Sequence, residues 1–233
     1  MDTHVNYRLE SSIATITMDD GKVNALTLAM FAQINRALDQ AQADRAVVVL
    51  TGRPGVFSAG FYLPVLRAGG NDALALLRAG FDLAERLLAF PDPVVIACNG
   101  HAIAMGVFLV LSGDYRVGTA GAYKLTANEV AIGMAMPHAA IEICRQRLTP
   151  QHLHRAVALA EPYGPDDAVA AGFLDRVVAA AELPVVARGV AEQLLALDRA
   201  AHTESKRRLR GPVLEALRRA IAIDDAGFRA TGP

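Results

Sequence analysis

Two short segments have the composition to bring main-chain N–H groups up against a ligand oxygen. Val56-Phe57-Ser58-Ala59-Gly60-Phe61-Tyr62-Leu63 follows the apolar run Ala46-Val47-Val48-Val49-Leu50, and Asn99-Gly100-His101-Ala102-Ile103-Ala104-Met105-Gly106 follows Pro93-Val94-Val95-Ile96-Ala97-Cys98. Gly and Ala leave the backbone approachable, so two loops of this kind at the ends of buried strands can aim two N–H groups at one oxygen and stabilise an oxyanion. A third candidate is Glu129, set among Ala127, Val130, Ala131 and Ile132. Apolar surroundings disfavour a charged carboxylate, raise its pKa and make it a proton acceptor and donor near neutral pH. Taken singly, each feature also has a plainer reading: a tight strand-to-helix turn for either loop, and a capping or partly exposed carboxylate for Glu129.

Other chemistries find less support. The chain lacks GxGxxG, GxxxxGK[ST], HExxH and GxSxG, which argues against dinucleotide, nucleotide, zinc and nucleophile-elbow chemistry. Ser58 therefore reads as a loop-packing residue. His138 and Glu142 lie four apart on a helical stretch with no third ligand nearby, so no metal is expected there. His152 and His154 read as solvent-facing, and Cys98 and Cys144 as packing thiols. With 23 basic and 24 acidic residues there is no strong field to attract nucleic acid or an anionic membrane surface. Hydrophobic residues make up 53% of the chain, yet every apolar run breaks before the ~20 residues of a spanning helix. Residues 1–10 show no signal-peptide pattern, so a cytoplasmic protein is expected.

The elements that must position these residues alternate. Residues 7–10 and 13–18 read as paired strands with a turn at Asp19-Asp20-Gly21, followed by a helix capped by Thr27 and ending near Asp44. Strand 46–51, helix 72–89, strand 93–98 and helix 105–112 come next, an alternation that predicts a parallel sheet. Residues 114–117 and 122–125 read as short strands. Helices are expected after Pro137, from Pro150 to about Ala160 behind an N-cap at Thr149, and from Pro165. Residues 174–178 read as a last strand, and two long helices follow between 183 and 228, divided around His202-Thr203-Glu204-Ser205. The length of 233 residues suits one large domain with a smaller appended part.

Asn24-Ala25-Leu26, Phe57-Ser58-Ala59-Gly60, Asn99-Gly100, Gly106, Asp114-Tyr115-Arg116, Asn128-Glu129 and Ile132-Gly133, in this order, resemble the landmarks of the crotonase, or enoyl-CoA hydratase/isomerase, superfamily. The resemblance implies an α/β fold, a crotonase-like spiral of ββα units over residues 1–180 with a helical C-terminal part, 181–233, that serves trimerisation in a homotrimer or hexamer. It implies an acyl-CoA thioester as the ligand and no separate cofactor, coenzyme A being part of the substrate. The N–H groups of Phe61 and Met105 would form the oxyanion hole, and Glu129 would carry the proton. Val23, Ala25, Ser58, Ala59, Gly60, Leu63 and Gly106 would line the substrate site. Lys206, Arg207, Arg208 and Arg210 are candidate contacts for the phosphates, beside a reading as a solvated helix face.

Two departures narrow the reaction. Hydratases of the superfamily resemble one another in using a second glutamate two residues after the Gly106 position, and here Phe108 stands in its place. Adding water across a double bond with one carboxylate is a poor route, whereas isomerisation needs only a single group that takes a proton from C2 and returns it to C4. The site pattern is similar to that of Δ3,Δ2-enoyl-CoA isomerases. The string Phe61-Tyr62-Leu63 is similar to aryl-CoA dehalogenases, but Ala135 stands where these carry their nucleophilic Asp. Tyr62 reads as a packing residue. The expectation is an enoyl-CoA isomerase, with an enoyl-CoA hydratase or a non-catalytic acyl-CoA binding protein as alternatives.

Overall fold

The computed structural model describes residues 3–231, with side chains to residue 228. The chain begins with β1 (Val5–Glu10), β2 (Ile13–Met18), β3 (Ala25–Leu26) and α1 (Leu28–Ala43), then β4 (Val47–Thr51), β5 (Gly55–Ser58) and β6 (Gly60–Phe61). Helices α2 (Leu63–Ala68) and α3 (Gly70–Ala89) precede β7 (Val94–Cys98), β8 (Gly100–Ile103) and α4 (Met105–Leu111). Strands β9 (Tyr115–Thr119) and β10 (Leu125–Thr126), a short 3-10 turn at Val130–Ile132, and helices α5 (His138–Arg145), α6 (Pro150–Ala158) and α7 (Pro165–Ala171) follow. The chain closes with β11 (Arg176–Val178), α8 (Leu183–Leu195) and α9 (Arg199–Thr231).

One rule organises the strands. The large sheet runs β1-β2-β4-β7-β9-β11, antiparallel only between β1 and β2, and a small sheet runs β10-β8-β5. Each of β4, β7 and β9 enters the large sheet, and the next strand, β5, β8 or β10, enters the small one in the same spatial order. That repetition is the spiral that the resemblance implies, and its strands are parallel as the alternation predicts. It also stacks equivalent loops beside one another, which brings the two glycine-containing segments together.

The large sheet buries both faces, as the all-apolar burial of Val94–Cys98 requires. One face packs into the main core under Leu38, Leu87 and Phe90. The other carries Ile13, Val47, Val49, Val95, Ala97 and Val117 against Leu183, Ala187 and Ala191 of α8. Helix α9 lies across α3 and α5 with Leu214, Leu217, Ala220 and Ile221 buried. Its carboxylates reach outward from that seam: Asp224 accepts from the backbone N–H groups of His138 (2.9 Å) and Ala139 (2.9 Å) and so caps α5, and Asp225 pairs with Arg78 on α3 at 2.8 Å.

Five expectations change. Residues 122–125, read as a strand, contribute only Leu125 to β10. Residues 55–58, 60–61 and 100–103, read as loops, pair as β5, β6 and β8, because main-chain partners from neighbouring turns of the spiral are available to them. Residues 63–68 form α2. The break between the last two helices falls at residues 196–198, and His202–Ser205 lies within α9, where Thr203 bonds its hydroxyl to Pro91 O at 2.9 Å and Arg199 O at 2.8 Å. Thr149 precedes α6, but its side chain makes no capping hydrogen bond.

Candidate active site

The two glycine-containing segments meet at backbone distance. Gly60 has φ +86°, and a Cβ there would stand 2.7 Å from Ile103 O and 3.2 Å from Met105 N. A Cβ on Gly106 would stand 2.5 Å from Ser58 O. Neither position has room for a side chain, which explains glycine at both. Tyr62 N–H donates to Leu26 O at 3.0 Å. Because successive N–H groups of a strand point to opposite edges, that of Phe61 points to the edge of β6 away from β3. Beside it, Ala104 holds φ +49° and ψ −122°, a conformation costing about 1–3 kcal/mol in a residue with a side chain. Immediately after it comes Met105, the first residue of α4, whose N–H has no intrahelical acceptor. Val107 and Phe108 N–H groups return to Ala104 O at 2.9 and 3.2 Å.

Local hydrogen bonds hold the rest of the first segment. Ser58 is fully buried, its Oγ donating to Asn24 O at 2.7 Å and accepting from Gly60 N–H at 3.0 Å. It is a hinge pin between the Val23–Ala25 stretch and Gly60. Asn24 has φ +52° and bonds its Nδ2 to Met18 O (2.9 Å) and Phe57 O (3.1 Å). Asp20 was not singled out in the sequence, yet its carboxylate accepts from the N–H groups of Lys22 (2.8 Å), Asn24 (2.8 Å) and Ala25 (3.0 Å). Those bonds keep it ionised below its ordinary range although burial pulls the other way. The signal was present as an Asp four residues ahead of an Asn in a turn. Val23 O accepts from Ala59 N–H at 3.0 Å, and Ala25 pairs with Gly60. Val23, Tyr62 and Leu63 are 48%, 42% and 40% exposed, so Tyr62 lies on the surface beside the segment and is not packed within it.

The Glu129 loop is tied to this region. Thr126 pairs with Ile103 through β10 and β8, and Thr126 O accepts from Ala104 N–H at 2.9 Å, next to the Met105 donor. Glu129 is only 5% exposed. Burial pushes its carboxyl up to about 7, against a smaller lowering by its own backbone N–H. Cys144 on α5 lies close enough that the Glu129 charge adds to the burial that raises its thiol. Within the same loop Thr126 Oγ1, Asn128 Oδ1 and Glu129 Oε2 are buried without a hydrogen-bond partner among the described residues, at an expected cost of about 1–3 kcal/mol each.

Phe108 is fully buried and lies in an aromatic chain: its ring centroid is 6.4 Å from that of Phe81, which is 6.1 Å from Phe61, which is 6.1 Å from Phe31. The helix that presents Met105 is buried on all sides. The position where a second glutamate would stand is thus a fully buried phenylalanine packed among other aromatic rings.

The basic run near residue 206 divides. Lys206 and Arg210 are buried on the face of α9 that meets Asp114, at 2.6 and 2.8 Å, and are not free to meet a phosphate. Arg207 and Arg208 are exposed and pair with Glu204 at 2.7 Å each. His138 pairs with Asp224 at 2.8 Å and Glu142 with Arg145 at 3.4 Å, on the surface of α5. His152 is half-buried and stacks edge-on against Tyr163.

Comparison with known proteins agrees with this architecture. The profile of the enoyl-CoA hydratase/isomerase family matches residues 8–232. One Mycobacterium tuberculosis protein has been solved twice. As an enoyl-CoA isomerase it superposes with a TM-score of 0.92 at 45% identity, covering 98% of each chain. As a probable enoyl-CoA hydratase it superposes at 0.94 and 46% identity, covering 97% of this chain and 96% of that one. The human mitochondrial Δ3-Δ2-enoyl-CoA isomerase is 25% identical with a TM-score of 0.91, over 97% and 90% of the two chains. The fold is that of the crotonase superfamily. Within it, the chain belongs to the enoyl-CoA hydratase/isomerase family and is an acyl-CoA enzyme.

Proposed function

We propose that the enzyme moves the double bond of a 3-enoyl-CoA into conjugation with the thioester. The observation that carries this reading is the lone buried carboxylate: Glu129 titrates near neutrality while Phe108 occupies the second acid-base position. Ionised Glu129 takes the proton from C2. The thioester oxygen gathers the negative charge and receives hydrogen bonds from the N–H groups of Phe61 and Met105, each contributing ~3 kcal/mol to lowering the barrier. Protonated Glu129 then returns the proton to C4, leaving the 2-trans thioester. The apolar wall of Phe61, Phe81 and Phe108 keeps competing water from the dienolate. Val23, Ala25, Ser58, Ala59, Gly60, Leu63 and Gly106 carry the coenzyme A arm, either through their backbone or by their small size. The reaction draws on no further cofactor. We further assign the enzyme to the cytoplasm and to a homotrimer or hexamer assembled through α8 and α9; no helix among the described residues is long and apolar enough to cross a membrane.

The hydratase reading is favoured by the description of the M. tuberculosis relative as a probable hydratase. Incubation with a 3-enoyl-CoA and, separately, with a 2-trans-enoyl-CoA distinguishes the two. Conjugation gained from the first substrate and absent with Glu129→Gln is the expected result. Conjugation lost from the second substrate makes the enzyme a hydratase. Binding of both without turnover makes it an acyl-CoA binding protein.

A further inference from the structure

Glu129 Oε2 belongs to a group of three oxygens with a shared need. Thr126 Oγ1, Asn128 Oδ1 and Glu129 Oε2 lie within four consecutive residues and receive or give no hydrogen bond among the described residues. Thr126 is 7% and Glu129 5% exposed, so bulk solvent does not reach them freely. Buried polar atoms in folded proteins are nearly always partnered by protein or by ordered water, and three in one loop point to a bound polar species. The inventory says which. An amide oxygen and an ionised carboxylate oxygen accept, while a hydroxyl donates. A single water supplies the complement by donating twice and accepting once, and about three hydrogen bonds is what a buried water makes. The neighbouring Cys144 does not serve as the donor, since a thiol bonds weakly.

We propose that Thr126, Asn128 and Glu129 together hold one ordered water, and that this water exchanges the proton carried by Glu129 with solvent during turnover. The inference rests on the reading of Glu129 as the proton carrier. The step is a balanced swap: protonated Glu129 gives its proton to the water as the water returns one of its own, and no bond to carbon changes. Solvent comes close along the same loop, where Asn128 is half-buried and Val130 and Ile132 are 43% and 49% exposed. Isomerisation is then only partly a direct transfer from C2 to C4. Thr126 and Asn128 act as positioning residues for the water.

The test is isomerisation of a 3-enoyl-CoA in D2O at low conversion, with deuterium at C4 of the product counted by mass spectrometry. Wild type is expected to incorporate solvent deuterium, Thr126→Val and Asn128→Leu to lower the incorporated fraction by about threefold, and Thr126→Ser to restore it. A fraction unchanged in both variants, or no deuterium in the wild-type product, overturns the proposal. Absence of any isomerisation would instead sink the reading of the reaction, and so would not bear on the water. The water site is then decided by crystal structures of wild type and Thr126→Val. A water within hydrogen-bond distance of all three oxygens, lost in the variant, supports it, and none in wild type overturns it.

Discussion

Two carboxylates in this molecule, the half-buried Asp114 and the buried Glu129, are treated in opposite ways. Asp114, just before β9, is clamped by Lys206 at 2.6 Å and Arg210 at 2.8 Å and also accepts from Val94 N–H at 2.8 Å. Around it Arg147 bonds Gly113 O at 2.6 Å, and Arg116 holds Asp175 at 2.5 Å. Burial pushes Arg147 down to about 10, and the neighbouring Arg116 and Arg210 add to it. Glu129 has no ion-pair partner among the described residues, and one of its oxygens has no hydrogen-bond partner among them. At Asp114 ion pairing compensates desolvation and pins α9 to the core. At Glu129 desolvation is left standing, and its consequence is a proton affinity matched to neutral pH. An unpaired buried charge is costly, and a carboxylate left so is a candidate for chemistry.

The sharpest way to break this contrast is Glu129→Gln, which keeps shape and removes the proton carrier. Isomerase turnover is expected to fall by about a thousandfold, measured as conjugated thioester formed from a 3-enoyl-CoA, with coenzyme A thioester affinity retained. Gly60→Ala comes next. The new methyl group would meet Ile103 O and push the Met105 N–H away from its position beside Phe61. Turnover should drop by about a hundredfold while the Michaelis constant changes far less, the signature of a lost oxyanion donor.

The reverse outcome is expected at the other carboxylate. Asp114→Asn strands Lys206 and Arg210 in a buried setting and should cost about 3–5 kcal/mol in chemical denaturation, with turnover per folded molecule unchanged. Equal loss of turnover would show that the clamp is part of the site. A gentler probe is pH. The folded value of Glu129, about 7, lies above the ordinary 4.5, so the unfolded chain releases this proton first. The group's contribution to stability is complete below about 4.5 and is lost as pH rises through about 7, a decline of about 3 kcal/mol in all. Denaturation midpoints of wild type and Glu129→Gln measured across that window should diverge as pH increases, while the wild-type rate rises with an inflection near 7. The smallest effect belongs to Arg207→Ala and Arg208→Ala. Both side chains are exposed partners of Glu204, and neither melting temperature nor thioester affinity should move measurably.

Much of the fold was legible. Strand β2, helix α1 behind its Thr27 cap, β4, β7 and α4 come from hydrophobic period and turn chemistry, and the structure keeps those signals. The short strands β5, β6 and β8 were hidden, because two- to four-residue segments owe their pairing to the neighbouring turns of the spiral and not to their own propensity. The apparent division at His202–Ser205 misled for a related reason. A polar stretch there reads as a break, but Lys206 and Arg210 both pair with Asp114 across the α9 interface with the core, and the helix continues.

The sequence by itself determined the chemistry available to this protein: two loops small enough to expose N–H groups, one glutamate in an apolar setting, and a phenylalanine where a second acid would stand. Only the tertiary structure decided which charges are compensated. Asp114 and Lys206 are 92 residues apart in the chain and 2.6 Å apart in space. Glu129 remains unpaired because no cation among the described residues comes within ion-pair distance of it. Residue type and local spacing are written along the chain, whereas desolvation and ion pairing depend on distances through space that closure of the spiral sets.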